Sequence, residues 1–242
     1  MHLFALALAL VACAPKSEVD ALNEKIKSLE EKVAALEKAP RGGAAASTNP
    51  EAEEAAGKLA TELMEAKKAS DYATAKTKFA ELKAKHADTK VWKSVSRMEA
   101  ELNLVGSEAK PIDVQKWFTG EKATLSDADT TVLVFWEAWC PHCKREVPKL
   151  PELQDKWKSK GVQVVALTKV NKSSTDESVS AFIKEHKLEG LPFGKEQEGG
   201  SMSSAYAVTG VPAAAVVKAG KVVWRGHPAQ LTDDVLGKLV AG

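Results

Sequence analysis

Two cysteines stand three apart in the run Trp139-Cys140-Pro141-His142-Cys143. At that spacing, in the first turn of a helix, two thiols face one side and close a small disulfide ring, so the chemistry on offer is thiol–disulfide exchange. The flanking residues supply the helix. Thr131-Val-Leu-Val-Phe-Trp136 is an apolar, β-branched and aromatic run of the kind that fills a buried central strand. Pro141 to about Lys160 reads as a helix with Val147, Leu150, Leu153 and Trp157 on one face. Cys140 therefore falls where a strand gives way to a helix N-terminus, whose unpaired N–H groups and positive dipole end favour a thiolate. That makes Cys140 the expected nucleophile and Cys143 the less exposed resolving thiol. Pro141 suits the first helical position because the donor it lacks would go unpaired there anyway. His142 is expected to add positive charge beside the thiolate. Such charge moves the pair toward the oxidising end of the roughly −270 to −120 mV range open to these motifs.

The third cysteine, Cys13, needs another employment. Leu3 to Ala14 is almost wholly apolar but too short to span a bilayer as a helix. It reads as the apolar core of a secretory signal, residues 1–12, ending in Leu10-Val11-Ala12-Cys13. That ending resembles a bacterial lipobox, which implies that Cys13 is lipidated and becomes the first residue of the mature chain. The competing reading is an ordinary cleaved signal peptide. With Cys13 spent on lipid, Cys140 and Cys143 remain as one pair, in a compartment that does not hold thiols reduced. The expected location is the cell envelope, on a bacterial membrane and facing the periplasm.

The 34 basic and 33 acidic residues leave a net charge of +1, which argues against a nucleic-acid partner. In 13–38, Val19, Leu22, Ile26, Leu29, Val33 and Leu36 trace a heptad seam, β-branched at every a position and leucine at every d. Lys25 and Lys32 at g face Glu30 and Glu37 at the following e positions, so the segment predicts a parallel homo-oligomer through residues 19–36. Residues 39–50 read as a linker, and Asn49-Pro50-Glu51 as a helix start. Residues 51–106 predict three helices, with faces on Leu59, Leu63 and Ala66, then Tyr72, Ala75, Phe79 and Leu82, then Val91, Val95, Met98 and Leu102. The second, capped by Ser70 or Asp71, resembles part of a tetratricopeptide repeat, although a helical spacer packed on the next domain explains it as well. From 107 to 242 strands alternate with helices: a first strand at Ile112–Phe118, another at Val162–Thr168 and helices at Asp176–Lys187 and Ser201–Val208. A hairpin of Ala213–Lys218 with Val222–Gly226 and a helix at Thr232–Val240 close the chain. The order fits an α/β fold, a mixed sheet flanked by helices.

Residues 110–242 resemble the thioredoxin superfamily, and within it the membrane-tethered TlpA/ResA-like thiol–disulfide oxidoreductases. The likeness rests on Phe135-Trp136-Glu137-Ala138-Trp139-Cys140-Pro141-His142-Cys143-Lys144-Arg145-Glu146-Val147-Pro148 and on the later Thr209-Gly210-Val211-Pro212. It implies a thioredoxin-like fold, preceded here by the coiled coil and a small all-α module. It also implies that Pro212 is cis against the cysteines, that Val211 pairs its backbone with an extended substrate, and that Trp139 borders the same site. Glu146 matches a family acid three residues beyond the second cysteine, placed to relay the proton of Cys143. The acid that many thioredoxins carry in the central strand, six residues before the first cysteine, is Val134 here, so that duty falls to Glu146 alone. The resemblance further implies that the redox-active disulfide serves in place of a cofactor. It implies cysteine-containing exported proteins as substrates, apocytochrome c among them, and a membrane thiol transporter as electron donor. On direction the cues conflict: Cys-Pro-His-Cys is typical of strongly oxidising periplasmic relatives, while the surrounding sequence resembles the reductive, tethered branch.

Other chemistries fit less well. One CxxC supplies only two zinc ligands, and His86, His186 and His227 lack companion spacing. Covalent haem needs a histidine where Lys144 stands. A peroxidatic cysteine would not need Cys143. A structural disulfide over so short a loop stabilises little. A non-enzymatic alternative is a lipoprotein scaffold that keeps a redox-inactive thioredoxin-like fold.

Overall fold

The computed structural model describes residues 49–126 and 128–241, together with Glu24. Cys13, the 19–36 seam and most of the 39–50 linker lie outside the described residues. Residues 47–242 form one compact unit.

That unit opens with helices α1 (Pro50–Lys68) and α2 (Tyr72–Lys85). Asn49 caps α1, its side chain accepting from the Glu51 N–H at 3.0 Å, and Pro50 takes the first helical position as expected. Asp71, not Ser70, caps α2 by accepting from the Thr74 N–H at 3.0 Å, while Ser70 turns the chain at φ +60°. The third expected helix is broken into α3 (Lys90–Val95) and α4 (Glu99–Leu104) by a 3-10 turn over Ser96–Met98. The Ser94 and Ser96 hydroxyls donate to the Val91 and Lys93 carbonyls at 2.7 and 3.4 Å, competing with the helix ladder where it tightens.

The sheet has six strands: β1 (Val114–Thr119), β2 (Thr130–Trp136), β3 (Val162–Thr168), β4 (Phe193–Glu196), β5 (Ala213–Lys218) and β6 (Lys221–Gly226), in the order β1-β4-β3-β2-β5-β6. Strands β2, β3 and β4 run parallel, and β1, β5 and β6 join antiparallel to their neighbours. β1 starts at Val114, two residues later than expected. β4 has no counterpart in the sequence reading, because Phe-Gly-Lys-Glu is too short and too polar to show a strand period. Gly194 is there because β1 crosses closely: a Cβ would lie 2.8 Å from the Val114 side chain. β2 is buried at every residue. Val132, Val134 and Trp136 meet one core, and Leu133 and Phe135 meet the other.

Helices cover both faces, so the fold is thioredoxin-like. The expected 141–160 helix is interrupted. α5 (Pro141–Glu146) passes through a 3-10 turn at Val147–Lys149 into α6 (Leu150–Trp157). Pro148 and Pro151 cannot donate to the ladder, so the axis must break there. α7 (Asp176–Glu185) and α9 (Asp233–Ala241) bring Phe182, Ile183 and Leu236 to the first core, and α8 (Ser201–Ala205) brings Met202 to the second.

The N-terminal helices dock on the β6 side of this sheet. The Tyr72 hydroxyl accepts from the Arg225 N–H at 3.1 Å and donates to the Arg225 carbonyl at 3.2 Å. Just after α4, Gly106 donates to Val222 and Ala109 to Gly220, at 2.8 and 2.7 Å. An edge that would otherwise offer unpaired backbone groups is thereby covered.

Candidate active site

β2 ends at Trp136, and a turn closed by the Cys140 N–H to the Glu137 carbonyl at 3.1 Å delivers Cys140 to the start of α5. Cys140 is the N-cap residue of that helix, and its sulfur accepts from the Cys143 N–H at 3.4 Å. A sulfur so placed takes one of the donors that the first helical turn leaves unpaired. The two cysteines are free thiols here, Cys140 being 3% exposed and Cys143 fully buried, so their order of access is the expected one. Burial pushes the Cys143 thiol well above its ordinary range, and the adjoining Cys140 side chain adds to the rise. Cys143 is therefore a protonated, sheltered group at neutral pH, as a resolving thiol should be before its turn comes.

The loop after α8 closes the other side. The Val211–Pro212 peptide is cis, and the Cys140 thiol donates to the Val211 carbonyl at 3.4 Å. Residues 71 positions apart thus meet at the reacting sulfur. Trp139, 51% exposed, stands at the lip. A cavity of about 370 Å³ runs past it, bordered by Glu137, Lys169, Thr209, Gly210 and Val211.

Pro141 holds the first helical position as expected. His142 follows it in α5. Its Nδ1 lies 2.6 Å from an Arg145 guanidinium nitrogen, one turn further along the helix. Glu146 pairs with Lys149 at 2.9 Å and lines a separate cavity of about 190 Å³ with Val132, Val134 and Leu231. The strand position that lacks an acid and the helix position that carries one therefore border the same space.

Sequence reasoning passed over the groups that hold this geometry. Glu137 accepts from the Trp139 indole and from Asn171, and the Ser174 hydroxyl accepts from the Ala138 N–H. Glu196, buried and lining the cavity, accepts from the Ser203 N–H and hydroxyl at 2.7 and 2.5 Å. None of these stands at a spacing from the cysteines that marks it in advance.

Residues 105–225 match the AhpC/TSA family. Over 122 residues, 49% of this chain and 67% of the relative, the sequence is 34% identical to the thiol-disulfide oxidoreductase ResA of Bacillus thuringiensis subsp. konkukian. Over 145 residues, 57% of this chain and 75% of the relative, it is 30% identical to the thiol:disulfide interchange protein HelX of Rhodobacter capsulatus. Among solved structures, a domain of a possible thiol-disulfide isomerase from Cytophaga hutchinsonii is 30% identical with a TM-score of 0.47, covering 56% of this chain and 92% of that one.

Proposed function

The chain belongs to the AhpC/TSA family and is a thiol–disulfide oxidoreductase, and from that premise we propose that it is a membrane-tethered reductase of disulfides in exported proteins. The observation that carries the reading is the placement of the Cys140 sulfur between the Cys143 N–H and the Val211 carbonyl, each at 3.4 Å. An extended polypeptide pairing with the Val211 backbone by strand addition would bring its own disulfide to that sulfur. The Cys140 thiolate attacks one substrate sulfur, the substrate S–S bond breaks, and the departing sulfur leaves as a thiolate that takes a proton. Cys143 then gives up its proton and attacks the Cys140 sulfur. That releases the second substrate thiol and leaves a Cys140–Cys143 disulfide, with two electrons passed to the substrate. Glu146, which borders a cavity with Val132 and Val134, is the carboxylate we assign to the Cys143 proton. Two electrons from a membrane thiol transporter restore the dithiol. Apocytochrome c is one substrate that fits.

The direction is argued from what surrounds the sulfurs. Strong oxidants of this class owe their potential to a stabilised reduced form. Here burial favours the neutral thiol at Cys143. Cys143 therefore adds no stabilised thiolate to the reduced form. The expected result is reduction of insulin disulfides by the dithiol protein, lost in Cys140→Ser, with a reduction potential within about 50 mV of the −270 mV end. A potential near −120 mV would overturn the reductase reading, and no thiol-dependent exchange with any disulfide would overturn the proposal as a whole.

A further inference from the structure

Trp139 is 51% exposed beside the nucleophile, yet its indole N–H does not rely on water. It donates to Glu137 Oε2 at 2.6 Å, and the same oxygen accepts from Asn171 Nδ2 at 2.8 Å. Asn171 is itself fixed: its Oδ1 accepts from the Ser173 and Ser174 N–H groups at 2.8 and 3.0 Å. The buried Ser174 hydroxyl accepts from the Ala138 N–H at 3.0 Å. The loop after β3 therefore grips Glu137 and Ala138 directly and Trp139 through Glu137. The indole so held faces the same cavity as Gly210 and Val211.

We infer that Glu137 is a positioning residue for this reaction: with Asn171 it holds Trp139 as a rigid wall against which the apolar or aromatic residue flanking the substrate cysteine packs. The inference rests on the proposed exchange with extended polypeptide disulfides. An aromatic wall fixed in advance loses little rotamer freedom on binding, so its contact shows in affinity for the substrate. The carboxylate is suited to the task because one oxygen takes both donors, and its residue lies in the turn that delivers Cys140.

The test is steady-state reduction, by the full-length protein, of a peptide disulfide with leucine or phenylalanine beside its cysteine. Glu137→Ala is expected to raise KM about fivefold with kcat within about twofold, and Trp139→Phe, which keeps a ring but loses the donor, to do the same. The double variant is expected to be no worse than either single one, since each removes the same interaction. Glu137→Gln keeps an acceptor oxygen and is expected to restore KM to within about twofold of the parent. An unchanged KM in Glu137→Ala, or additive effects in the double variant, would overturn the inference. Asn171→Ala leaves the segment before Cys140 untouched and is the second variant, with KM expected to rise about threefold and an unchanged KM counting against it. A readout independent of turnover is acrylamide quenching of Trp139, taken as the difference from Trp139→Phe. It is expected to rise about twofold in Glu137→Ala, where the ring is released to solvent. Wild-type protein that reduces no peptide disulfide would defeat the proposed function. Unchanged quenching would defeat this inference by itself.

Discussion

The two sulfurs divide the work through their surroundings. Cys140 caps a helix and meets a carbonyl from a distant loop, whereas Cys143 lies wholly inside and is held as a neutral thiol. That difference has a consequence for stability. A thiol raised above its unfolded value of about 8.5 favours the folded state fully below that pH. The contribution is lost as pH rises, because the unfolded chain ionises first and releases its proton. Tyr72 and Tyr206, pushed by burial up to about 12, act in the same sense but only above the ordinary tyrosine range near 10. The window between pH 8.5 and 10 therefore belongs to Cys143. At pH 9.5 the reduced protein is expected to have lost on the order of 1 kcal/mol through Cys143 relative to pH 7.5. Cys143→Ala should lose that much less over the same interval. Urea unfolding at both pH values, with reductant present, measures the difference. Equal losses in the two proteins would mean that Cys143 titrates alike folded and unfolded.

Among the elements, β6 joins the active-site sheet to the helices before it, and one side chain does much of the joining. The Tyr72 hydroxyl satisfies both the N–H and the carbonyl of Arg225 from a distance of 153 residues in sequence. Tyr72→Phe leaves two buried backbone groups without that partner and is expected to cost about 1–3 kcal/mol. The urea midpoint should fall accordingly, and a change below about 0.5 kcal/mol would show that water or a neighbour replaces the hydroxyl. Nothing in the sequence pointed to this bond. Tyr72 read as one apolar position on a helix face, and it is buried as that reading required. Elements whose signal is local were legible: β3 was expected at the bounds it has, β2 as a continuous apolar run, and Asn49-Pro50 as a start. Elements set by competition between neighbours were not. Pro148 breaks one helix and the serines of 94–96 another, and both yielded to a pattern of apolar spacing that ignores donors. At the site, Cys140, Cys143, Val211 and Pro212 came from a motif and a resemblance. Glu137 and Asn171 meet across 34 residues and owe their pairing to where the loop after β3 folds back.

At the scale of the whole molecule the question is how a nearly neutral protein meets its partners. With a net charge of +1, long-range steering adds little to its encounter rate with a reductant or a substrate. In our proposal tethering supplies what charge does not, since a shared membrane would raise the effective concentration of enzyme and donor. Cys13 and the 19–36 seam, both outside the described residues, are the sequence features assigned to that task in our proposal. The assignment separates into two expected outcomes. Cys13→Ala should move the protein from the membrane fraction to the soluble fraction. Leu22→Ser with Leu29→Ser should leave it on the membrane but make it sediment as a monomer once extracted, because a seam of about three heptads tolerates little loss at its d positions. Cellular reduction of exported thiols should fall at least severalfold in the first variant, where the donor is no longer concentrated beside the enzyme. Purified Cys13→Ala protein should still reduce insulin in solution, because Cys140, Cys143 and Pro212 all lie within the matched residues 105–225. If cellular reduction survives the release from the membrane, the tether has some purpose other than bringing electrons to Cys140 and Cys143.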